Sequence, residues 1–141
     1  MFKTLTLAAL AAAILAPAAH AQDADLTLSF PALAAKSGKV MIAVYDSAQG
    51  WSSGKPARIA QANAADAEPA AKILALPAGT YAVRAFQDVD GDGKMGMNPF
   101  GMPVEPYGFS NDAKPNMGPP SFDAAAFDVK AGATTQVLHL H

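Results

Sequence analysis

Apolar residues in this chain recur at every second position, in short runs that glycine or proline ends. That period restricts the chain to strands. Leu26, Leu28 and Phe30 alternate with Thr27 and Ser29. In residues 39–46, Val40, Ile42 and Val44 share one face while Met41, Ala43 and Tyr45 share the other. Side chains of a strand point alternately to its two faces, so a run that is apolar on both belongs at the centre of a sheet. Residues 72–76 form another β-rich run, which Pro77-Ala78-Gly79 turns into 80–87, where Tyr81, Val83 and Ala85 oppose Ala82, Arg84 and Phe86. Ser37-Gly38 marks a turn before 39–46, and Lys130-Ala131-Gly132 sits between 126–129 and 134–140 as a further hairpin-like signal. Residues 57–62 read as a short edge strand and the alanine-rich 64–71 as a helical turn around Pro69. No long 3.6-residue pattern and no internal repeat is present. The expectation is an all-β, Ig-like antiparallel sandwich of about seven strands.

The first residues read as a secretory signal peptide. Lys3 supplies the positive start, residues 7–16 are an unbroken apolar run, and Ala19-His20-Ala21 gives a small-x-small cleavage site after Pro17. The run of ten residues is too short for a spanning helix, which needs about 20. The expected organisation is a cleaved segment 1–21 and one β-sandwich domain, 22–141, in the bacterial periplasm or outside the cell. The chain has no cysteine, so no lipid anchor follows the leader and no disulfide supports the fold. No later stretch could span a membrane. Losing Lys3 leaves 9 basic against 12 acidic residues, a charge of −3. A mildly acidic domain without a basic block argues against nucleic acid or anionic lipid surfaces as partners.

Residues 89–120 carry no convincing strand or helix, and loops beyond about 12–15 residues are uncommon in compact domains unless they are functional or disordered. This one has the composition of an ordered segment, with Phe100, Tyr107, Phe109 and four of the six methionines. Closing it costs about 3 kcal/mol from its length alone, so apolar packing, a bound ion, or both must offset that cost.

The segment opens on Asp88-Val89-Asp90-Gly91-Asp92-Gly93-Lys94. Carboxylates at loop positions 1, 3 and 5 followed by glycine form the first half of an EF-hand loop, in which Lys94 would offer its backbone carbonyl. The second half is missing: Gly96 and Pro99 stand where later ligands would be, and no helices flank the loop. Calcium is therefore expected to need Asn98 or the more distant Glu105 beside Asp88, Asp90 and Asp92. The competing reading is a solvated acidic turn, since Asp and Gly favour turns for their own reasons. Zinc is disfavoured because no His or Cys is near.

Met95, Met97, Met102 and Met117 lie in the same segment. Thioethers at this spacing suit Cu(I), with His139 and His141 as further donors, although methionine also fills irregular gaps under long loops. Trp51, Tyr107 and Phe109, with Asn111 beside them, are candidates for a partner surface, against the plainer role of capping one end of a sandwich. Arg84 is a candidate to pair with Glu105 or a loop aspartate. Catalytic motifs such as G-x-S-x-G and H-E-x-x-H are absent. The Asp/Glu cluster is the remaining hydrolytic candidate, but adjacent turn positions do not make a cleft.

Several blocks carry a resemblance: Leu76-Pro77-Ala78-Gly79-Thr80-Tyr81-Ala82-Val83, the acidic turn with Asn98, Gly101-x-Pro103-x-Glu105-x-Tyr107-Gly108-Phe109-Ser110-Asn111, and Gly118-Pro119-Pro120-Ser121-Phe122. With Val44-Tyr45-Asp46 and Trp51 they cover nearly all of 22–141. The chain resembles a family of exported bacterial proteins, domain of unknown function twenty-one forty-one. The resemblance implies a transthyretin-like or carboxypeptidase-regulatory-like sandwich and no established activity. That family usually carries Asp or Asn two residues after the lysine, where this chain has Gly96. Together these readings lead to a non-enzymatic binding or accessory module for an extracytoplasmic protein, peptide or glycan, with a calcium-stabilised loop. A periplasmic Cu(I)-binding protein is the alternative, and a hydrolase the third.

Overall fold

The period-two runs become eight strands in two sheets of a computed structural model that describes residues 23–141. The expected leader lies outside the described residues. One sheet contains β4 (Ala70–Pro77), β1 (Asp23–Ser29) and β8 (Gly132–Val137), in that order. The other runs β3 (Arg58–Asn63), β2 (Lys39–Tyr45), β5 (Gly79–Asp88) and β6 (Tyr107–Phe109), with β7 (Phe127–Val129) also on β5. All pairs are antiparallel except β1 with β8, which is parallel. The core lies between the sheets, where Leu26, Leu28, Phe30, Val40, Val44, Val83 and Leu138 are sealed from water. Among the described residues no helix is long and apolar enough to cross a membrane.

The turn signals have a different meaning from the one expected. Pro77-Ala78-Gly79 joins β4 of one sheet to β5 of the other, and Lys130-Ala131-Gly132 carries the chain from β7 on β5 to β8 on β1. Neither is a hairpin. Turn residues reverse the chain locally, but apolar faces on both sides of each turn draw successive strands to opposite layers. Ser37-Gly38 is likewise a crossover between sheets. Gly38 has φ +74°, and a Cβ there would lie 1.9 Å from the Asp88 carbonyl oxygen, so this corner passes tightly over the end of β5.

The edge strand near 57–62 is present as β3, paired to β2. Residues 64–71 form no helix: a hydrogen-bonded turn, closed by Asp66 N donating to the Asn63 carbonyl, and a bend follow β3, and β4 begins at Ala70. A helix that the strand reading missed, α1 (Ala48–Ser53), fills the connection before β3. Ser47 Oγ accepts from Gly50 N–H at 3.2 Å and Gly54 ends the helix in the left-handed region. A second short helix, α2 (Phe122–Ala125), is capped by Ser121.

β5 is covered along one side by two short strands end to end. β7 pairs with Gly79–Tyr81 and β6 with Arg84–Phe86. Val83 N–H falls in the gap, and buried Ser110 fills it: its Oγ accepts from Val83 N at 2.9 Å and donates to the Ala125 carbonyl. Beyond β8 the chain leaves β1 and reaches the other sheet, where Tyr107 and His141 exchange backbone hydrogen bonds of 3.1 and 3.0 Å.

Candidate functional site

Strand β2 is central, between β3 and β5, and its two apolar faces have separate uses. Val40, Ile42 and Val44 enter the core, while Met41, Ala43 and Tyr45 face outward with Arg84 and Phe86 of β5. The 89–120 segment folds over this outer face and encloses a groove of about 1220 Å³. All five methionines of the described residues, Met41, Met95, Met97, Met102 and Met117, line it. Met97, Met102 and Met117 are exposed, as is Ile59 at its edge. Large exposed apolar surfaces of this kind mark interaction sites.

A small second core supports one end of the groove. Tyr45, Trp51, Ala82, Phe109 and Ala125 are buried together, with Tyr107 and Phe122 against them. Trp51 meets Tyr45 edge-on at 5.2 Å between centroids, and its Nε1 donates to the Pro120 carbonyl at 2.8 Å, fixing the far end of the long segment. The four residues picked as a partner surface therefore separate. Trp51 is buried, Phe109 and Tyr107 line the groove, and Asn111 is exposed but ties the chain to Ala126 and Gln136. Tryptophan's large apolar area is better buried than presented.

Arg84 does not pair with Glu105 or a loop aspartate. Its guanidinium stacks 3.9 Å from the Trp51 ring centroid and 5.0 Å from that of Tyr45, and Nη2 donates to the Trp51 carbonyl at 2.7 Å. Its Nε is buried without a partner. Burial pushes its pKa below the ordinary arginine value, with the Tyr45 hydroxyl acting in the opposite direction.

At the root of the long segment, Asp88, Asp90 and Glu105 each bring one carboxylate oxygen within 4.8 Å of the others. Asp88 accepts from Gly91 N at 2.8 Å and Gly93 N at 3.0 Å. Glu105 accepts from Val89 N at 2.8 Å and Gly96 N at 2.9 Å, so it clips the outgoing and returning chain together. Each oxygen keeps a second lone pair for a cation. Asp92 stands outside this group and accepts from Lys94 N at 2.7 Å. Asn98 is occupied elsewhere, since its Oδ1 accepts from Phe100 N and Met102 N inside a tight turn closed by the Met97–Pro103 bridge.

His139 and His141 do not reach the methionine groove. They line a smaller hollow with Asp112 and Lys114, where His139 Nδ1 lies 3.0 Å from Asp112 Oδ1. That hydrogen bond holds the Asp112 carboxyl below the usual aspartate range.

The groove itself was only half visible in the sequence. The loop methionines and Phe109 were picked out, whereas Met41, Ile59 and Arg84 as its floor were not. The apolar outer face of β2 was the signal that could have located it.

Residues 29–137 match the family model described as "Uncharacterized protein conserved in bacteria (DUF2141)". No curated protein and no solved structure matches the chain.

Proposed function

The chain belongs to DUF2141, a bacterial family whose description names no activity, and for it we propose an exported, non-enzymatic binding module. Its ligand site is the methionine-lined groove, and calcium at the acidic root pins the segment that forms the groove's wall. Export rests on Lys3, the apolar run at 7–16 and Ala19-His20-Ala21. The observation that carries the binding reading is the gathering of all five methionines of the described residues in one groove. Unbranched, polarisable side chains conform to a variable apolar ligand, and such surfaces recur at adaptable binding sites. Calcium is supported by Asp88, Asp90 and Glu105, hard oxygen donors from the start and the middle of one segment.

Two measurements test this reading. A neutral apolar dye such as Nile red should bind once per chain, and Met102→Asp should abolish binding. A dye that stays dark, or one that ignores Met102→Asp, sinks the groove. Separately, melting is followed in calcium and in chelator. Calcium at 100 times its Kd would stabilise the fold by about 2.7 kcal/mol, which is about 10 °C for a domain of this size. Asp90→Ala should remove the shift and Asp92→Ala should keep it. Asp90 is the informative position because its one backbone bond is local, to Asp92 N, whereas Asp88 and Glu105 hold the loop whether or not metal binds. Equal melting in calcium and chelator would mean that packing alone orders the segment.

The same five thioethers favour a second reading, a Cu(I) site. Competition with a Cu(I) chelator should then show one bound ion that the paired change Met95→Leu with Met97→Leu removes. Absence of such an ion rejects it.

A further inference from the structure

We propose that the groove takes a fatty acid, with its carboxylate on Arg84 and its acyl chain along the methionines. This rests on the groove being the ligand site and adds the chemistry of the ligand.

Among the described residues Arg84 is the only charged one lining the groove, and no Asp or Glu lines it. Among the described residues the single ion pair is His139 with Asp112, so no carboxylate compensates the guanidinium. One N–H goes to the Trp51 carbonyl, Nε is buried unpaired, and no other protein partner of this guanidinium is present among the described residues. An uncompensated cation in apolar surroundings is costly, and a carboxylate is the group that relieves it best, through charge-assisted hydrogen bonds. The Trp51 and Tyr45 rings hold the guanidinium in place before any ligand arrives, so little freedom is lost when one binds.

The remainder of the groove determines what the carboxylate is attached to. The floor is the face of a sheet whose backbone groups are spent in the β3-β2-β5-β6 ladders. A peptide laid there would bring an N–H and a C=O per residue with few partners to receive them, and a sugar would bring its hydroxyls. A hydrocarbon chain has no such groups. The groove's 1220 Å³ exceeds the usual range of about 300–1,000 Å³ for ligand sites, which suits a long chain rather than a small acid.

Trp51 is the only tryptophan in the chain and lies against Arg84, so its fluorescence reports on the proposed head-group site. The protein is titrated with dodecanoate, dodecanol, dodecyltrimethylammonium and acetate, each below micelle formation. Dodecanoate should bind once per chain and at least about tenfold more tightly than dodecanol, a difference of about 1.4 kcal/mol. Acetate alone should not bind detectably, and the ammonium should bind more weakly than the alcohol. Arg84→Gln should erase the preference for dodecanoate over dodecanol. The comparison of acid with alcohol uses the unaltered protein, so it stands even if that variant fails to fold. Equal binding of dodecanoate and dodecanol overturns the fatty-acid assignment and leaves the apolar groove intact. No binding by any of the chains overturns the groove reading as well. If an apolar peptide displaces Nile red and dodecanoate does not, the occupant is a peptide and the proposal falls.

Discussion

Replacing Ser110 by alanine removes one hydroxyl from the place where β6 and β7 meet along β5. Two groups lose their partner at once: Val83 N–H, held at 2.9 Å, and the Ala125 carbonyl. Ser110 is 0% exposed, so water does not reach the gap without a local opening. A buried polar group left unpaired costs about 1–3 kcal/mol, so with two such groups Ser110→Ala should cost about 2–6 kcal/mol. That is a large share of a typical stability of about 5–15 kcal/mol. At about 2.1 cal/mol/K of unfolding entropy per residue, each kcal/mol is about 4 °C here, giving a fall of about 8–24 °C. Urea unfolding followed by Trp51 fluorescence is the assay. The midpoint should fall with an unchanged slope, which assigns the loss to the native state rather than to a more compact unfolded one. Because Ser110 directly follows Phe109 in the groove lining, Nile red binding should weaken in parallel. A stability loss below about 0.5 kcal/mol would refute the reasoning, since it would show that the gap closes or hydrates without the hydroxyl.

Three further outcomes are expected. A Cβ at Gly108 would lie 2.2 Å from the His139 carbonyl oxygen, so Gly108→Ala should displace the C-terminal tail; fast amide exchange at Tyr107 and His141 is the sign, and native protection would contradict it. Trp51→Phe removes the bond to the Pro120 carbonyl and should cost about 1–3 kcal/mol, with proteolysis appearing near residues 113–120; undiminished stability and resistance would remove Trp51 as the anchor. Asp112 has a lowered folded pKa because of His139, so its contribution is present above the ordinary aspartate value and is lost as pH falls through the lowered one. Asp112→Asn should therefore be less stable than the parent at neutral pH and converge with it in acid, by less than about 1 kcal/mol since the pair is exposed. A gap that persists or widens in acid would contradict this.

Strands were legible because period two is a local property. Val40, Ile42 and Val44 define a face wherever their strand ends up. Partnership was not legible, since Pro77-Ala78-Gly79 looks the same whether it closes a hairpin or changes layer, and the choice depends on faces distant in sequence. α1 carried a readable mark in Ser47 and Gly54, but a one-and-a-half-turn helix has too few residues to show a period. In the acidic loop, the alternation of Asp88 and Asp90 and the reach to Glu105 were anticipated. The Asn98 side chain satisfies its own turn, an option Asn takes readily and one that spacing alone does not reveal. Arg84 could not be placed from sequence, since its environment comes from Trp51 on α1 and Tyr45 on β2, which only the sheet brings together.

The repeated passage of the chain between layers, at β1 to β2, β3 to β4, β4 to β5 and β7 to β8, also sets how quickly the chain can find its fold. β1 has no neighbour in its sheet nearer in sequence than β4, which begins at Ala70, and its other partner is β8, which begins at Gly132. No local hairpin can nucleate that sheet. Chains dominated by such distant pairings have high contact order and fold on the millisecond-to-second scale, far slower than helical bundles. The shortest-range pairing belongs to the other sheet, where β2 meets β3 from Val44 and Arg58 outward, so local contacts favour the layer that carries the floor of the groove over the β4-β1-β8 layer.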